Sequence, residues 1–195
     1  MQDHRRNGTR TQASKKEISM SRIIIIGYMG SGKTTVGKSL AKDTGMPFYD
    51  LDWYIEGRMH RTIKQIFDER GEEGFRRLES TMLHEVAEFE NVIISCGGGT
   101  PCFYDNMDYI NQQGESVFLK CTPDVLYNHL KMGRTERPLL MGKTPEEVQA
   151  YIKEQLTVRA PYYSKAKHTI DVTLMDSYEK IKITVDKIKE SLNLD

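Results

Sequence analysis

A glycine-rich stretch that ends in a lysine and a threonine carries the clearest chemistry in this sequence. Residues 27–34 read Gly-Tyr-Met-Gly-Ser-Gly-Lys-Thr and match the pattern G-x-x-x-x-G-K-[ST]. Glycines let main-chain N–H groups turn inward around phosphates, while Lys33 can reach the β- and γ-phosphates and the Thr34 hydroxyl can ligate Mg²⁺. The pattern therefore predicts a cradle for a nucleoside triphosphate, against the alternative of a glycine-rich turn in which Gly-Lys-Thr is incidental. It does not say what is done with the nucleotide.

A pair of aspartates follows the second predicted strand, in Asp50-Leu51-Asp52. Side chains alternate along a strand, so residues 50 and 52 are expected to face one crevice. One carboxylate could help to hold hydrated Mg²⁺ while the other accepts a proton from an attacking hydroxyl, as phosphoryl transfer to an alcohol requires. The alternatives are two solvated loop aspartates or a helix cap at Asp52.

Two arginines on predicted helices are candidate anion ligands. Arg76 lies three residues before Glu79, so the carboxylate could fix the guanidinium while its other edge forks onto a substrate carboxylate. The alternative is an exposed ion pair worth roughly a few tenths of a kcal/mol. Arg159 ends a later predicted helix, where a cation also compensates the helix dipole.

Three consecutive glycines, Gly97–Gly99, follow the third predicted strand. Such a run allows the backbone to approach a ligand very closely, although a flexible turn is the simpler alternative. No aspartate ends this strand to act as a metal ligand, so Ser95 and Asp50 are the polar candidates for that role.

Residues 131–143 form a basic, glycine-containing segment between two predicted helices. We expect a lid that closes over the nucleotide, excludes water and brings Arg137 to the transferring phosphoryl group. An ordinary solvated loop is the alternative.

Strands and helices alternate along the chain, which predicts an α/β fold with a parallel sheet covered on both faces. Ligands bind beyond the carboxyl ends of such strands, where the residues above are expected to meet. The predicted strands are Arg22–Ile26, Phe48–Leu51, Val92–Ser95, Ser116–Lys120 and Thr169–Val172. The predicted helices cover Lys33–Thr44, most of 52–89 with breaks near Gly71 and Gly74, segments starting at Pro123 and Pro145, and Tyr178–Leu192.

Composition excludes several classes of protein. Lys+Arg and Asp+Glu are both 28 in 195 residues, so a general nucleic-acid binder is not expected. The apolar runs are too short to span a membrane, and no secretory segment is apparent. We expect residues 1–19 to be a disordered basic extension, residues 20–195 to be one domain, and Cys96, Cys102 and Cys121 to be reduced thiols of a cytosolic protein.

Taken in order, these pieces resemble shikimate kinase, and the likeness covers about residues 21–190. The matching segments are Gly27–Gly37, Asp50-x-Asp52, Phe75-Arg76-x-x-Glu79, Gly97–Gly99, Arg137-Pro138-Leu139-Leu140 and Arg159-x-Pro161-x-Tyr163. The resemblance implies a three-layer α/β/α fold like that of the nucleoside monophosphate kinases, with a five-stranded parallel sheet and a mobile lid. It implies the reaction ATP + shikimate → ADP + shikimate 3-phosphate, in aromatic amino-acid biosynthesis. It also implies Mg²⁺ as cofactor. We expect small-molecule partners, neither nucleic acid nor a membrane, and a monomer in the cytoplasm.

The resemblance further implies residue roles. Asp52 would bind the acceptor hydroxyl and act as the base, and Lys33 and Arg137 would stabilise the phosphates. Arg76 and Arg159 would take the shikimate carboxylate beside the backbone of Gly97, Gly98 and Gly99. Nucleotide ligands would be Gly30, Ser31, Gly32, Lys33, Thr34, Thr35 and Arg137, and Mg²⁺ ligands would be Thr34 and, through water, Asp50.

The chain departs from the family pattern in two places. Lys131 and Arg134 are the nearest basic residues to an earlier lid arginine, and residues 172–176 contain no arginine for the adenine. A gluconate kinase shares the cradle and the size, but its neutral polyol would not by itself require three glycines and two arginines. A nucleotide-binding switch would need neither Asp52 nor a lid arginine.

Overall fold

The computed structural model describes residues 21–132, 138–173 and 175–194. In these ranges the strands are β1 (Arg22–Ile26), β2 (Phe48–Asp50), β3 (Val92–Ser95), β4 (Glu115–Lys120) and β5 (His168–Asp171). They form one five-stranded sheet in the spatial order β2-β3-β1-β4-β5, and every pairing is parallel. The predicted parallel sheet is therefore confirmed, with strand ends that differ from the prediction by at most one residue.

Helices connect the strands. They are α1 (Lys33–Thr44), α2 (Leu51–Met59), α3 (Ile63–Val86), α4 (Asn106–Gln113), α5 (Pro123–Met132), α6 (Pro145–Tyr163) and α7 (Tyr178–Ser191), with 3₁₀ turns at Thr100–Cys102 and Pro138–Leu140. The sequence did not predict α4. This helix has only 8 residues, and its N-cap residue Asp105 makes no side-chain capping bond, so the usual start signal is missing.

Capping residues and glycines explain where several helices begin and end. Thr144 and Glu147 form the predicted capping box at the start of α6. Gly45, with φ at 72°, closes α1 in the left-handed conformation that glycine adopts at low cost. In α3 the predicted interruption occurs at Gly71, where φ is 67°, whereas the helix continues through Gly74. The break expected near Gly74 is therefore wrong.

The sheet separates two apolar cores, and β1 contributes to both. Ile24 and Ile26 pack with residues of α2, α3 and α4, whereas Ile23 and Ile25 pack with residues of α1 and α7. Side chains alternate between the faces of a strand, so this run of isoleucines is buried on both sides. The three-layer α/β/α prediction is thus confirmed.

A third, smaller core lies beyond the carboxyl edge of the sheet. Tyr28, from the loop after β1, packs there with Leu126 of α5 and Ile152 of α6. These two helices flank the predicted lid segment, so the phosphate loop packs against the helices on either side of that segment. Within the described ranges, no helix is long and apolar enough to cross a membrane.

Candidate active site

The phosphate loop joins β1 to α1 at the carboxyl edge of the sheet. Gly30 and Gly32 have φ angles of 83° and 85°, where a residue with a Cβ atom is strained. A methyl group on Gly32 would also collide with the thioether methyl of Met175. Lys33 donates from Nζ to the main-chain oxygen of Tyr28 at 3.0 Å. The glycines therefore adopt left-handed loop conformations, and the Lys33 side chain folds back to bond the backbone of the same loop.

Ser31 and Thr35, two further predicted nucleotide ligands, belong to the same loop and the start of α1. The Ser31 side chain is buried, and its hydroxyl has no hydrogen-bond partner within the described ranges. A buried hydroxyl without a partner costs about 1–3 kcal/mol, so this position is suited to a ligand that accepts its hydrogen bond. Thr35 lines the cleft in front of the loop.

The two predicted Mg²⁺ ligands are in direct contact. Thr34 Oγ1 donates to Oδ2 of Asp50 at 2.7 Å, and Asp50 pairs in register with buried Ser95 across β2 and β3. Hydroxyl and carboxylate oxygens suit Mg²⁺, which usually keeps several waters and adds substrate phosphates to one or two protein ligands. The described part of the chain holds no cluster of three or more His, Cys, Asp or Glu side chains for a metal. The residues present fit an ion carried mainly by phosphates and water.

Asp50 and Asp52 share a cleft, but not because of strand alternation. Strand β2 ends at Asp50, whose carboxylate accepts from the Asp52 N–H at 3.1 Å and caps α2. Leu51 therefore begins a helix, and both the predicted strand end at Leu51 and the alternative cap at Asp52 are wrong. The first helical turn still directs Asp52 into the cleft, where its Oδ1 would lie 3.3 Å from a Cβ atom on Gly97.

Arg76 is inside the protein and not on its surface. It is 5% exposed, its Nη1 donates to Oε2 of Glu79 at 2.8 Å, and its guanidinium lies 4.4 Å from the ring centre of Phe103. Glu79 is 1% exposed, so the alternative of a solvated ion pair is wrong. The Arg76 Nε atom has no partner among the described residues, although Nη2 reaches Glu72 at 3.3 Å. The guanidinium thus keeps a buried donor that a ligand could use.

Arg159 is the second buried arginine of the site. Helix α6 runs through Pro161 to Tyr163, so Arg159 does not end the helix as predicted. Its Nη2 donates to Gln155 at 3.0 Å, while its Nη1 is buried without a partner in the described ranges. Burial by itself lowers the pKa of Arg159, but Tyr163 and Tyr28 raise it, and the net shift is upward. A permanently charged, incompletely bonded guanidinium favours an anionic ligand over dipole compensation.

The three glycines lie between these arginines and the phosphate loop. A Cβ atom on Gly98 would lie 3.0 Å from the Met29 nitrogen, and one on Gly99 would lie 2.6 Å from Arg76 Nη2. Tyr163 fixes the run by donating from its hydroxyl to the Gly98 carbonyl at 2.6 Å. Protein atoms therefore already lie close to this run, and the close approach of a ligand to Gly97–Gly99 stays a prediction.

Two compartments open at this edge of the sheet. The larger has a volume of 690 Å³ and extends along the phosphate loop, and the smaller has a volume of 90 Å³ and contains Arg76, Glu79 and Arg159. Both are lined by Met29, Asp52, Gly97 and Gly98. A nucleotide in the first compartment and a small acid in the second would meet beside Asp52.

Several lining residues were not predicted from the sequence. No phosphate-binding or acid-binding motif marks these positions in the sequence. The large compartment adds His129, Met132, Met175, Asp176, Ser177, Tyr178 and Ile181, and the small one adds Ile63, Phe67 and Leu139. The segment after β5 could have been expected from its place at the carboxyl end of a strand. His129 contacts the phosphate loop, with Nδ1 2.8 Å from the Gly30 oxygen.

Cys96 lines the large compartment, so its thiol lies close to the proposed nucleotide site. Burial raises its pKa far above the usual range. The Cys96 thiol therefore stays protonated and is a poor nucleophile.

Some predictions fall on residues that the structure does not describe. Residues 133–137 of the predicted lid, 131–143, which include Arg137, are among these, as is the predicted extension 1–19. The 3₁₀ turn Pro138–Leu140 lies next to the undescribed part of the lid, and its Leu139 lines the small compartment.

Strand order, phosphate loop and paired compartments together define the class of P-loop kinases that act on small molecules. A family model described as shikimate kinase matches residues 29–192. The chain belongs to the shikimate kinase family.

Relatives and solved structures agree with this assignment. The chain is 52% identical over 174 residues to a shikimate kinase of Phocaeicola vulgatus, covering 89% of this chain and 99% of that one. The crystal structure of a Bacteroides thetaiotaomicron shikimate kinase matches with a TM-score of 0.86 at 49% identity, covering 89% and 99% of the two chains. A shikimate kinase of Acinetobacter baumannii in complex with shikimate matches at 29% identity with a TM-score of 0.80, covering 90% and 94%. A gluconokinase of Sinorhizobium meliloti, at 19% identity and a TM-score of 0.57, shares the fold.

Proposed function

We propose that this chain transfers the γ-phosphoryl group of ATP to the 3-hydroxyl of shikimate and releases ADP and shikimate 3-phosphate. The family assignment supports the reaction. The observation that carries the proposal is the pair of buried arginines with unused N–H groups, which faces a small compartment beside Asp52. A buried cationic donor without a partner is costly, and a carboxylate ligand would remove that cost.

The small compartment has the composition expected for a compact ring acid. Its walls include the apolar side chains of Ile63, Phe67, Phe75 and Leu139, opposite charged groups and glycine backbone. A ring such as that of shikimate would place its carboxylate against Arg76 and Arg159 and a hydroxyl toward Asp52, which lines both compartments.

In the large compartment we propose that the phosphate loop and Lys33 hold the triphosphate. Lys33 now donates to the Tyr28 oxygen, and a bound phosphate would compete for that donor. Met132 and Tyr178 line this compartment and are exposed, and we propose that they flank the adenine with Met175. The lid would add Arg137.

The chemical step requires in-line attack of the acceptor hydroxyl on the γ-phosphorus. The new O–P bond forms as the bond to the β-phosphate oxygen breaks, and we propose that Asp52 accepts the hydroxyl proton. We propose Mg²⁺ bound by Thr34 and, through water, by Asp50. When bound, the ion supplies positive charge to the phosphate oxygens. Both compartments are built from one chain, so we expect activity as a monomer. We also propose that the enzyme acts in the cytoplasm.

A coupled assay of ADP release tests the proposal with shikimate, gluconate or no acceptor. We expect ADP formation that depends on shikimate and saturates with it, and a product that contains phosphate on the ring 3-hydroxyl. ADP release that is unchanged by shikimate would contradict the proposal. A response to gluconate alone would assign the site to a polyol acid.

A further inference from the structure

Arg76 depends on a buried carboxylate that itself needs partners. Glu79 accepts from Arg76 Nη1 at 2.8 Å through Oε2 and from Thr100 Oγ1 at 2.6 Å through Oε1. Thr100 is fully buried, at 0% exposure, and a hydroxyl that donates to a carboxylate makes a strong, charge-assisted bond. Thr100 therefore fixes the oxygen of Glu79 that Arg76 Nη1 does not use.

The hydrogen bonds continue from Thr100 back to helix α3. The Thr100 carbonyl accepts from Asn106 Nδ2 at 2.9 Å, and Asn106 Oδ1 accepts from Ser80 Oγ at 2.7 Å. Asn106 is also fully buried. Because Ser80 follows Glu79 in the chain, the bonds close a ring that starts and ends on neighbouring residues of α3. We call Glu79, Ser80, Thr100 and Asn106 the α3 ring.

The α3 ring joins the helix that carries Arg76 to the turn that follows Gly99. The spacing between these two elements is tight, since a Cβ atom on Gly99 would lie 2.6 Å from Arg76 Nη2. A displacement of α3 relative to the turn would move the Arg76 guanidinium relative to the glycine backbone. Networks of this kind are worth more than their separate bonds when every member is satisfied.

We propose that Thr100 and Asn106 are positioning residues of the acceptor pocket, which act through Glu79 to hold Arg76 against Gly99 in the orientation that binds the acceptor carboxylate. This inference rests on the proposed function, because it assigns an effect on the binding of shikimate. Neither residue lines either compartment, so a direct contact with the acceptor does not explain the expected effect.

Thr100→Val and Thr100→Ser form the matched pair that tests the proposal. Valine keeps the shape and removes the hydroxyl, whereas serine keeps the hydroxyl and removes a methyl group. We expect Thr100→Val to raise the KM for shikimate on the order of tenfold, as a lost charge-assisted bond in a buried site allows. The KM for ATP should change less than about twofold, since the phosphate loop has its own contacts. Thr100→Ser should stay within about threefold of the unsubstituted chain for both substrates.

A double-mutant cycle separates positioning from a general loss of structure. Arg76→Lys keeps the charge that Glu79 needs but removes the fork, so Thr100→Val should change the shikimate KM less than about twofold in that background. If the two effects multiply instead, Thr100 does not act through Arg76, and the proposal is overturned. Equal rises of both KM values in Thr100→Val would overturn it as well.

Ser80→Ala tests the far side of the α3 ring without opening a large buried cavity. We expect a rise of about two- to threefold in the shikimate KM with unchanged KM for ATP. An unchanged shikimate KM would overturn the part assigned to Asn106. Absence of shikimate-dependent turnover in the unsubstituted chain would reject the proposed function. Shikimate-dependent turnover in the unsubstituted chain together with an unchanged shikimate KM in Thr100→Val would reject only this inference.

Discussion

Replacing Gly99 by alanine places a methyl group against the guanidinium that is proposed to hold the acceptor. Gly99 has φ −89° and ψ −20°, so alanine fits the backbone without strain. Its Cβ atom would nevertheless lie 2.6 Å from Arg76 Nη2 and 2.8 Å from Cζ. These distances are too short for non-bonded atoms, and the guanidinium must move.

The size of the effect differs between folding and binding. For folding, crowding costs about 1–3 kcal/mol of stability, although the end of the long Arg76 side chain can shift to relieve it. Alanine also restricts the unfolded chain more than glycine does, which offsets about 0.4–1 kcal/mol of this cost. For binding, the shift takes Arg76 away from its contacts with Glu79 and the acceptor. Loss of a charge-assisted contact costs about 1.5–3 kcal/mol, which corresponds to a rise of about 10- to 150-fold in the shikimate KM.

Two measurements check this prediction. Coupled ADP release gives both KM values, and the fluorescence of Trp53, the single tryptophan, gives shikimate binding without ATP. Trp53 is 51% exposed and follows Asp52 in the chain, so its emission should respond to the acceptor. We expect a weaker shikimate affinity and an unchanged KM for ATP.

Gly57→Ala is the matched control. Gly57 lies in α2, and no atom of the described residues lies within 4 Å of an added Cβ atom, so the same chemical change meets open space there. It should stabilise the protein by about 0.5–1 kcal/mol through helix propensity and leave both KM values unchanged. Unchanged shikimate affinity in Gly99→Ala would refute the placement of the acceptor carboxylate at Arg76.

Three further predictions concern the base, a buried hydroxyl and a strand-edge ion pair. Asp52→Asn should lower kcat about 10²–10⁴-fold if the carboxylate accepts the proton, and a near-normal kcat in the ADP assay would remove it from that role. The buried hydroxyl of Tyr28 has no partner among the described residues, so Tyr28→Phe should increase stability by up to about 1 kcal/mol and raise the melting temperature, with an unchanged shikimate KM. A lower melting temperature would mean that the hydroxyl is bonded. Hydrogen bonds from His168 and Lys167 hold the pKa of Glu115 below its usual value, so the stability they give is present above the unfolded pKa and is lost as pH falls through the folded one. Glu115→Gln should therefore lower the melting temperature at pH about 7, with a loss of less than about 1 kcal/mol in stability, and this loss should shrink as the pH falls below the unfolded pKa; a loss that stays the same as the pH falls would contradict the reasoning.

Much of the fold follows from local signals in the sequence. The isoleucine run of β1, the capping box at Thr144 and the glycine at position 45 each predicted an element that the structure contains. The sequence was misleading where a local signal was absent or competed with another. Helix α4 has no side-chain cap, and the carboxylate of Asp50 ends β2 one residue early by capping α2.

The sequence by itself was enough to predict the phosphate loop, because its glycines, Lys33 and Thr34 are neighbours in the chain. It also identified Arg76 and Arg159, but it could not show that both are buried. That depends on Glu79, Tyr28 and residues far away in the chain. The tertiary structure alone decided which N–H groups remain unused and which side chains line the cleft. Burial and hydrogen-bond satisfaction depend on contacts between segments that the sequence pattern does not specify.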